Sequence, residues 1–465
     1  MTHALIVGGG IAGAVTAMSL HKAGIGSTVY ESYPTGADDV GAFLVLFHNG
    51  LEALRTIDAH RPVLDVSFPA ERVEMLSHTG DSLGIRPVSG RESSPGKAGK
   101  ADKRGGAGRA DEAGATDEGR SSAGGEVLGP RTLRRAALHR ALHDEAARRG
   151  IRIEHAKRLV SAQTASDGRV TARFADGSSA GGDLLIGADG IHSVTRGLID
   201  SQAPRPRHTG QTTVCGYAAN VQPEAAPAPG TYRMIQGTRA FLGCTMAPGG
   251  EVWWFANTPG PELDRGQLAT ETPLQKARWR EHVAGLFADD ASPAADIVRA
   301  TGDEIVASNA YDIASTPVWS RGPLIILGDA AHAAAPNAAQ GASMAIEDSV
   351  VLAKCLRDLP GPGEAFAEFE RLRRERVEAV VERSAQLNNR VVPGTRTGRE
   401  QAEPGSAGPE ASDPGGSPSS DRASEAASQG APTRVPVAGT PRTGDANWLL
   451  HYRIDWETPA GAGHP

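Results

Sequence analysis

The sequence is poor in aromatic residues and in cysteine, and it has no long apolar run. Aromatic side chains make up 5% of its 465 residues, and the three cysteines, Cys215, Cys244 and Cys355, form no C-x-x-C pair. A sparse, odd set of cysteines is typical of a reducing compartment and argues against a disulfide framework or a zinc site. No stretch reaches the ~18 apolar residues of a membrane span. We therefore expect a cytoplasmic protein with no metal site.

Positive charge is not concentrated anywhere in the chain. The formal net charge is -7 at pH 7, and no basic stripe is present, which argues against a nucleic-acid partner. The N-terminus enters an apolar strand at Ala4 without a charged segment or a cleavage site, so we expect no export.

Glycine and proline are abundant, with 57 and 31 residues, and they are concentrated in two stretches. Residues 89–126 and 393–443 contain few apolar side chains and are predicted to be a disordered insertion and a disordered linker. The chain then ends in an apolar, aromatic tail, residues 444–457, which we expect to dock on the folded body.

A glycine-rich turn near the N-terminus is the first feature that indicates a ligand. Strand Ala4–Val7 leads into Gly8, Gly10 and Gly13, and a helix and a second strand ending at Glu31 follow. Gly8 permits a tight turn, Gly10 lets the backbone touch a pyrophosphate, and Gly13 allows close packing of helix on strand. Glu31 is placed to hold a ribose hydroxyl. The pattern predicts a dinucleotide site and leaves FAD and NAD(P) both open.

Residues 328–348 predict a second turn that faces a ligand. A short apolar strand leads through a loop of small residues into a helix. Pro336 stiffens the loop, and Gly341 lets the backbone approach a ligand near the free N–H groups of the helix N-terminus. Glu347 and Asp348 are predicted to lie in the first turns of this helix, where they would suit its dipole.

A third motif and a second domain lie between these two turns. An apolar strand runs into Gly187-Ala-Asp189-Gly190, where a carboxylate can accept hydrogen bonds from a cofactor's hydroxyl groups. Residues 205–320 alternate β-branched and aromatic runs with turns, which predicts a mostly antiparallel sheet. One face of that sheet could wall an apolar pocket, and its candidate substrate contacts are Tyr217, Phe241 and Trp254.

Together the three motifs resemble the p-hydroxybenzoate hydroxylase-like family of FAD-dependent monooxygenases, over most of the chain outside the two low-complexity stretches. The resemblance implies an α/β (α+β) fold with a Rossmann-like FAD-binding domain and an inserted, mostly antiparallel β-sheet substrate domain. We assign residues 1–75, 127–200 and 322–392 to the first domain, and residues 76–88 and 205–320 to the second.

The resemblance also implies roles for individual positions. Arg135, which heads an R-x-x-L pattern, is expected near the FAD, and Asp189 near both FAD and NAD(P)H. Asp329 should hold the ribityl chain, and Pro336 should lie beside the isoalloxazine ring, with the helix start at its pyrimidine end. His332 receives no catalytic role. The expected FAD-binding residues are Gly8, Gly10, Ile11, Ala12, Gly13, Glu31, Arg135, Asp189, Gly328, Asp329, Pro336, Gly341 and Ala342.

The implied chemistry needs neither a metal nor a nucleophilic side chain, and no catalytic residue is assigned. NADH or NADPH reduces non-covalently bound FAD, and dioxygen forms a flavin hydroperoxide. One oxygen atom then passes to an apolar or aromatic small molecule by hydroxylation or epoxidation. Such a reaction would belong to secondary metabolism or drug modification, in a monomer or homodimer.

Three alternatives stay open. A flavin-dependent halogenase shares the fold, but the sequence has no W-x-W-x-I-P match, since Trp253 and Trp254 are adjacent. A non-catalytic protein that binds flavin or a small molecule would not need all three motifs. The low-complexity stretches would also suit a scaffold.

Overall fold

Two of the sequence predictions, the disordered insertion and the disordered linker, fall outside the residues that the structure describes. Among the described residues, no helix combines the length and the apolar character needed to cross a bilayer. The computed structural model describes residues 2–35, 42–88, 128–391, 449–450 and 452–461.

The strands of the described residues are mostly short, and two of them are much longer than the others. In chain order they are β1 (His3–Val7), β2 (Gly26–Tyr30), β3 (Phe43–Leu46), β4 (Phe68–Pro69), β5 (Arg72–Ser77), β6 (Ser82–Pro87), β7 (Arg131–Arg134), β8 (Arg152–Glu154), β9 (Leu159–Thr164), β10 (Val170–Phe174), β11 (Ser179–Gly182), β12 (Leu184–Gly187), β13 (Arg207–Ala218), β14 (Thr231–Gln236), β15 (Phe241–Met246), β16 (Val252–Pro259), β17 (Thr301–Asp312), β18 (Ser320–Arg321) and β19 (Leu324–Ile326).

The helices include two long ones near the end of the described body, and a single 3-10 turn at Pro336–Ala338 precedes the first of these. In chain order the α-helices are α1 (Ile11–Lys22), α2 (His48–Thr56), α3 (Arg61–Asp65), α4 (Arg135–Arg148), α5 (Val194–Ile199), α6 (Arg265–Leu268), α7 (Pro273–Leu286), α8 (Ala294–Arg299), α9 (Asp329–His332), α10 (Gly341–Asp358) and α11 (Pro362–Val391).

A six-stranded sheet in the order β18-β19-β12-β1-β2-β8 forms the first domain. Its strands pair in parallel except for the short edge strand β18. The central strands β1, β12 and β19 are almost entirely buried, which is why they read as continuous apolar runs rather than as alternating patterns. The turns after β1, β12 and β19 therefore come out at one edge of the sheet, side by side.

A seven-stranded sheet in the order β17-β13-β16-β15-β14-β5-β6 forms the second domain. All its neighbours pair antiparallel except β14 and β5. The sheet is thus mostly antiparallel, as the sequence predicted. Strand β5 begins at Arg72, inside the stretch (1–75) that the sequence assigned to the first domain. Strands β3, β7 and β4, in that order, form a small third sheet. In the sequence, its strands lie between strands of the two larger sheets.

The two faces of the seven-stranded sheet accommodate different aromatic residues. Trp254 is fully buried in the core that the sheet forms with α7 and α8, and a Cβ on Gly216 would lie 2.6 Å from its ring. Phe255 points the other way, since a Cβ on Gly243 would lie 2.4 Å from its ring. Successive residues of a strand face opposite sides. The selection of Trp254 as a substrate contact is therefore wrong, because its ring belongs to the core.

Replacing Trp254 tests this assignment. Trp254→Ala removes a fully buried ring and the hydrogen bond from its Nε1 to Thr301 Oγ1 (2.7 Å). We expect a loss of ~3–5 kcal/mol in the free energy of unfolding, measured by urea denaturation. Phe255→Ala, at a partly exposed position on the other face, should cost much less. Equal losses for the two variants would contradict the placement of Trp254.

Candidate cofactor and substrate site

The glycine-rich turn after β1 is packed against the turn after β12. Gly8 has a φ of 101°, and a Cβ there would lie 2.4 Å from the Ala188 carbonyl oxygen. A Cβ on Gly13 would lie 1.9 Å from the Gly8 carbonyl oxygen. No atom lies within 4 Å of the corresponding position on Gly10. Gly8 and Gly13 thus serve close packing, whereas Gly10 faces open space at the N-terminus of α1, which has no side-chain cap.

The carboxylate of Glu31 is hydrogen-bonded to the backbone of this turn. It is 8% exposed, and Oε2 accepts a hydrogen bond from the Gly9 backbone N–H at 2.6 Å. His143 of α4 holds the same residue from the other side, with Nε2 at 2.5 Å from the Gly9 carbonyl oxygen. Sequence reasoning missed His143, and nothing in the pattern around it distinguishes it from other polar residues of α4.

Asp189 shapes the turn after β12. Its Oδ1 accepts from Ser193 Oγ at 2.5 Å, and its Oδ2 accepts from both the backbone N–H and the Oγ1 of Thr195, each at 3.0 Å. Both carboxylate oxygens are therefore engaged by the first turn of α5. The structure places Asp189 beside the groove, yet its contacts in the described chain are local.

The third turn lies directly beside the first. A Cβ on Gly328 would lie 3.4 Å from the Cβ of Ala12, and a Cβ on Gly341 would lie 3.8 Å from Asp329 Oδ1. The side chains of Asp329 and Pro336 are exposed. The three motifs thus meet around one open groove. Of the remaining predicted residues, exposed Arg135 stands at the start of α4, and Ile11 and Ala342 are partly exposed at the starts of α1 and α10.

Glu347 and Asp348 do not lie in the first turn of α10, which contains no acidic residue. Both are fully buried, and α11 supplies the opposite charges. Arg376 makes two hydrogen bonds to Glu347 at 2.8 Å, and Arg373 Nε donates to Asp348 Oδ1 at 2.7 Å. Arg373 Nη2 also lies 2.6 Å from Glu347 Oε2, without the alignment of a hydrogen bond. The predicted match to the helix dipole is wrong, because the dipole acts within the first turn.

These four side chains, which we call the charge quartet (Glu347, Asp348, Arg373 and Arg376), also hold the groove. Asp348 Oδ2 accepts from the backbone N–H of Gly328 at 3.0 Å and lies 2.5 Å from His332 Nε2.

His332 therefore has a structural contact. Its Nδ1 is buried and has no hydrogen-bond partner within the described chain. Asn49 Nδ2 bridges the other end, with 2.6 Å to Glu347 Oε1 and 3.1 Å to Gln340 Oε1. The quartet thus reaches both ends of segment 328–341.

An aromatic wall lies on the face of the seven-stranded sheet opposite Trp254. It consists of Tyr217, Phe241, Trp253, Phe255 and, from β3, Phe43, with ring centroids 5.4 to 6.4 Å apart. Phe43, Phe241 and Phe255 stay partly exposed. Two predicted contacts, Tyr217 and Phe241, belong to the wall. Strand alternation places Trp253 and Phe255 on the face opposite Trp254, but it does not tell which face the helices cover.

A chain of amides joins the aromatic wall to the loop that carries Pro336. Asn257 donates from Nδ2 to Asn337 Oδ1, and Asn337 donates from Nδ2 to Asn388 Oδ1, both at 2.8 Å. Thr213 Oγ1 donates to Asn257 Oδ1 at 2.9 Å. Directed hydrogen bonds therefore join the wall to the Pro336 loop.

Comparison with known proteins identifies the family. The family model described as FAD binding domain matches residues 1–384. The chain belongs to this family of FAD-dependent, aromatic-hydroxylase-type monooxygenases. It is 32% identical over 382 residues to 3-amino-4-hydroxybenzoate 2-monooxygenase PtnB3 of Streptomyces platensis, covering 82% of this chain and 86% of that protein. It is 28% identical over 385 residues to aurachin C monooxygenase/isomerase of Stigmatella aurantiaca, covering 80% and 85%.

The fold is shared with a solved structure. Klebsiella pneumoniae HpxO complexed with FAD and uric acid superposes with a TM-score of 0.69 at 23% identity, over 85% of this chain and 90% of HpxO. The predictions of the family, of the two-domain fold class, of FAD as the cofactor and of an oxidoreductase are thus confirmed. The halogenase alternative is not favoured.

The groove fits the FAD that this family binds. FAD carries a pyrophosphate, and the uncapped N-terminus of α1 beside Gly10 offers free N–H groups with open space in front of them. The N-terminus of α10 is uncapped as well and has no acid in its first turn. Exposed Asp329 lies between the two helix starts.

The charge quartet gives stability a defined pH dependence. Burial alone would raise the pKa of Glu347, but the guanidinium groups of Arg376 and Arg373 outweigh it and lower the pKa below its ordinary 4.5. Burial likewise opposes the lowering of the pKa of Asp348, which His332 and Arg373 bring about. A carboxylate whose pKa is lower in the folded state than in the unfolded state stabilises the folded protein. The full stabilisation is present when the pH is above the unfolded-state pKa. That stabilisation is lost as the pH falls through the folded value.

Glu347→Gln tests the quartet. At pH 7 it leaves a buried guanidinium group without its full counter-charge, so we expect a loss of ~3–5 kcal/mol in the free energy of unfolding. The difference in the free energy of unfolding between the variant and the natural enzyme should become smaller as the pH falls from 5 towards 3. Urea denaturation at each pH measures it. Glu281→Gln, at an exposed position of α7, should cost little throughout. A cost for Glu347→Gln that does not change with pH would contradict the charge argument.

Proposed function

We propose that this FAD-dependent monooxygenase inserts one oxygen atom from dioxygen into a neutral aromatic small molecule, held between the FAD groove and the aromatic wall. The observation that supports this proposal most strongly is the composition of the aromatic wall. Five aromatic rings contact one another there, three of them (Phe43, Phe241 and Phe255) are partly exposed, and an amide chain adjoins them. Such a surface suits a planar apolar ring that carries a hydroxyl, carbonyl or ring N–H group.

The charge of the described wall favours a neutral substrate. Arg134 contacts its rings, with its guanidinium carbon 4.0 Å from the centroid of Tyr217. It is already paired, donating to Glu304 at 2.6 Å and to Glu251 at 3.1 Å. An anionic substrate would therefore find the Arg134 guanidinium already neutralised. Moving a carboxylate from water into such a site costs several kcal/mol.

We assign the groove residues to parts of FAD. The backbone at Gly8, Gly10, Ile11, Ala12 and Gly13 would surround the pyrophosphate, with Glu31 near the adenosine ribose. Asp329 would hold the ribityl chain, Pro336 would lie beside the isoalloxazine ring, and Gly341 and Ala342 would contact its pyrimidine end. The proximity of Asp329 to Gly341 supports this order. Arg135 and Asp189 would border the groove, with NADH or NADPH as the reductant.

The protein's contribution is binding, orientation and exclusion of water. FAD, when bound, supplies the redox chemistry. The uncapped start of α10 would stabilise negative charge on a flavin ring bound there, because the free N–H groups of a helix N-terminus carry partial positive charge. The amide chain holds the Pro336 loop against the wall, which fixes the substrate relative to the ring. We place the enzyme in the cytoplasm and in secondary metabolism or drug modification.

A substrate panel tests the neutral-ring proposal. We expect neutral phenols and 4-quinolones to stimulate NADH or NADPH oxidation and to gain one oxygen atom from ¹⁸O₂, measured by mass spectrometry. Benzoates should show a kcat/KM lower by about a hundredfold, because their carboxylate is desolvated without a partner. Phe255→Ala should raise KM for the best substrate, whereas Leu274→Ala, 81% exposed on α7, should not. A preference for 3-amino-4-hydroxybenzoate would contradict the proposal.

Asp329→Ala tests the assignment of the ribityl contact. Removing one hydrogen bond to a charged group should weaken FAD binding roughly 10- to 100-fold, so that the variant loses FAD on purification. The measurement is the flavin-to-protein absorbance ratio after desalting. Asp303→Ala, at an exposed position of β17, should stay fully loaded. A yellow, fully flavinylated Asp329→Ala enzyme would contradict the assignment.

A further inference from the structure

The tail that the sequence predicts to dock packs, in its described part, against α10 and α11. Trp456 is 8% exposed and joins the first-domain core. Arg357 of α10 lies 4.4 Å from the centroid of its ring and donates to its carbonyl oxygen at 2.7 Å. Farther along, the Ala460 N–H donates to Asp358 Oδ2 at 2.7 Å. The tail is thus held by directed contacts in addition to apolar burial.

Tyr452 of the tail covers the two arginines of the charge quartet. Its ring centroid lies 5.0 Å from the guanidinium carbon of Arg373 and 4.5 Å from that of Arg376. The Leu449 carbonyl oxygen accepts from Arg376 Nη2 at 2.9 Å. Arg373 is fully buried, and its Nη1 has no hydrogen-bond partner in the described chain. An aromatic face is a suitable neighbour for such a group, because cation–π attraction strengthens when water is excluded.

Two short paths lead from these arginines to the FAD groove. Arg376 binds Glu347, which Asn49 links to Gln340, the residue before α10. Arg373 binds Asp348, which accepts from the Gly328 N–H directly before Asp329. Every step along both paths is 3.1 Å or shorter. The tail therefore touches the element that fixes both ends of segment 328–341.

We propose that the tail is a clamp for the flavin segment, with Tyr452 as a positioning residue that acts through the charge quartet. Docking of the tail keeps water away from the arginines and strengthens their pairing with Glu347 and Asp348. That pairing holds Gly328 and Gln340, and with them the start of α10, in the arrangement that binds FAD. The proposal depends on the FAD groove and not on the nature of the substrate.

The opposing explanation is that the tail only covers apolar surface. Trp456 provides the comparison, because it is as well packed as any tail residue but contacts Arg357, which is outside the quartet. A covering role predicts similar effects of Tyr452→Ala and Trp456→Ala. A clamp predicts that only Tyr452→Ala changes the flavin.

The experiment uses full-length Tyr452→Ala, Tyr452→Phe and Trp456→Ala enzymes. We expect Tyr452→Ala to weaken FAD binding by about tenfold, the size of a lost buried cation–π contact, and to lower the flavin midpoint potential. Tyr452→Phe keeps the ring and should keep both values. Trp456→Ala should lower Tm and leave both values unchanged. The clamp is overturned if Tyr452→Ala keeps the natural FAD Kd and potential, or if Tyr452→Phe behaves like Tyr452→Ala.

Hydrogen exchange gives a second test. It uses the unaltered enzyme, so it does not depend on whether a variant folds. Coupling between two sites is reciprocal, so FAD binding must stabilise the docked tail. We expect amides in residues 452–461 to exchange more slowly after FAD is added to the apo-enzyme, with no comparable change in α7. Equal exchange of the tail with and without FAD would overturn the clamp. Neither test uses substrate turnover, so both are separate from the proposed function.

Discussion

The pairing of two buried carboxylates with two buried arginines is the constraint on which the rest of the site depends. Glu347, Asp348 and Arg373 are fully buried, and Arg376 is nearly so. Charges in such a place are tolerated only when each has a well-placed partner. The requirement fixes α11 against α10, orients the turn after β19 through the Gly328 N–H, and reaches the start of α10 through Asn49. The charge quartet thus holds both ends of segment 328–341 in place.

The substrate side follows from a simpler rule, the alternation of side chains along a strand. In β16 this rule places Trp254 in the helix-covered core and Trp253 and Phe255 on the other face, against Phe43. Two glycines, Gly216 and Gly243, make room for these rings on opposite faces. One sheet thereby supplies both a stable core and an aromatic wall, and the amide chain through Asn257 sets the distance between that wall and the Pro336 loop.

Much of the cofactor groove could be predicted from the sequence, because backbone geometry there demands particular residue types. Gly8 has a positive φ, and Gly13 has no space for a Cβ, so both leave a readable pattern. The partners of Glu347 and Asp348 could not be predicted, since they lie on another helix, 25 to 29 residues along the chain. A choice between Trp253 and Trp254 needed the phase of the strand, which a sheet with aromatic residues on both faces does not reveal. Aromatic composition indicated that the tail would dock, but not that Tyr452 would cover two arginines.

We propose that the three turns form a single FAD site whose ring end opens onto the aromatic wall. A crystal structure of the full-length enzyme with bound FAD tests it most directly. We predict the pyrophosphate at the N-terminus of α1 beside Gly10, the ribityl chain at Asp329, and the isoalloxazine ring between Pro336 and the wall. FAD bound with its pyrophosphate away from α1, or with its ring turned away from Phe255, would contradict the account.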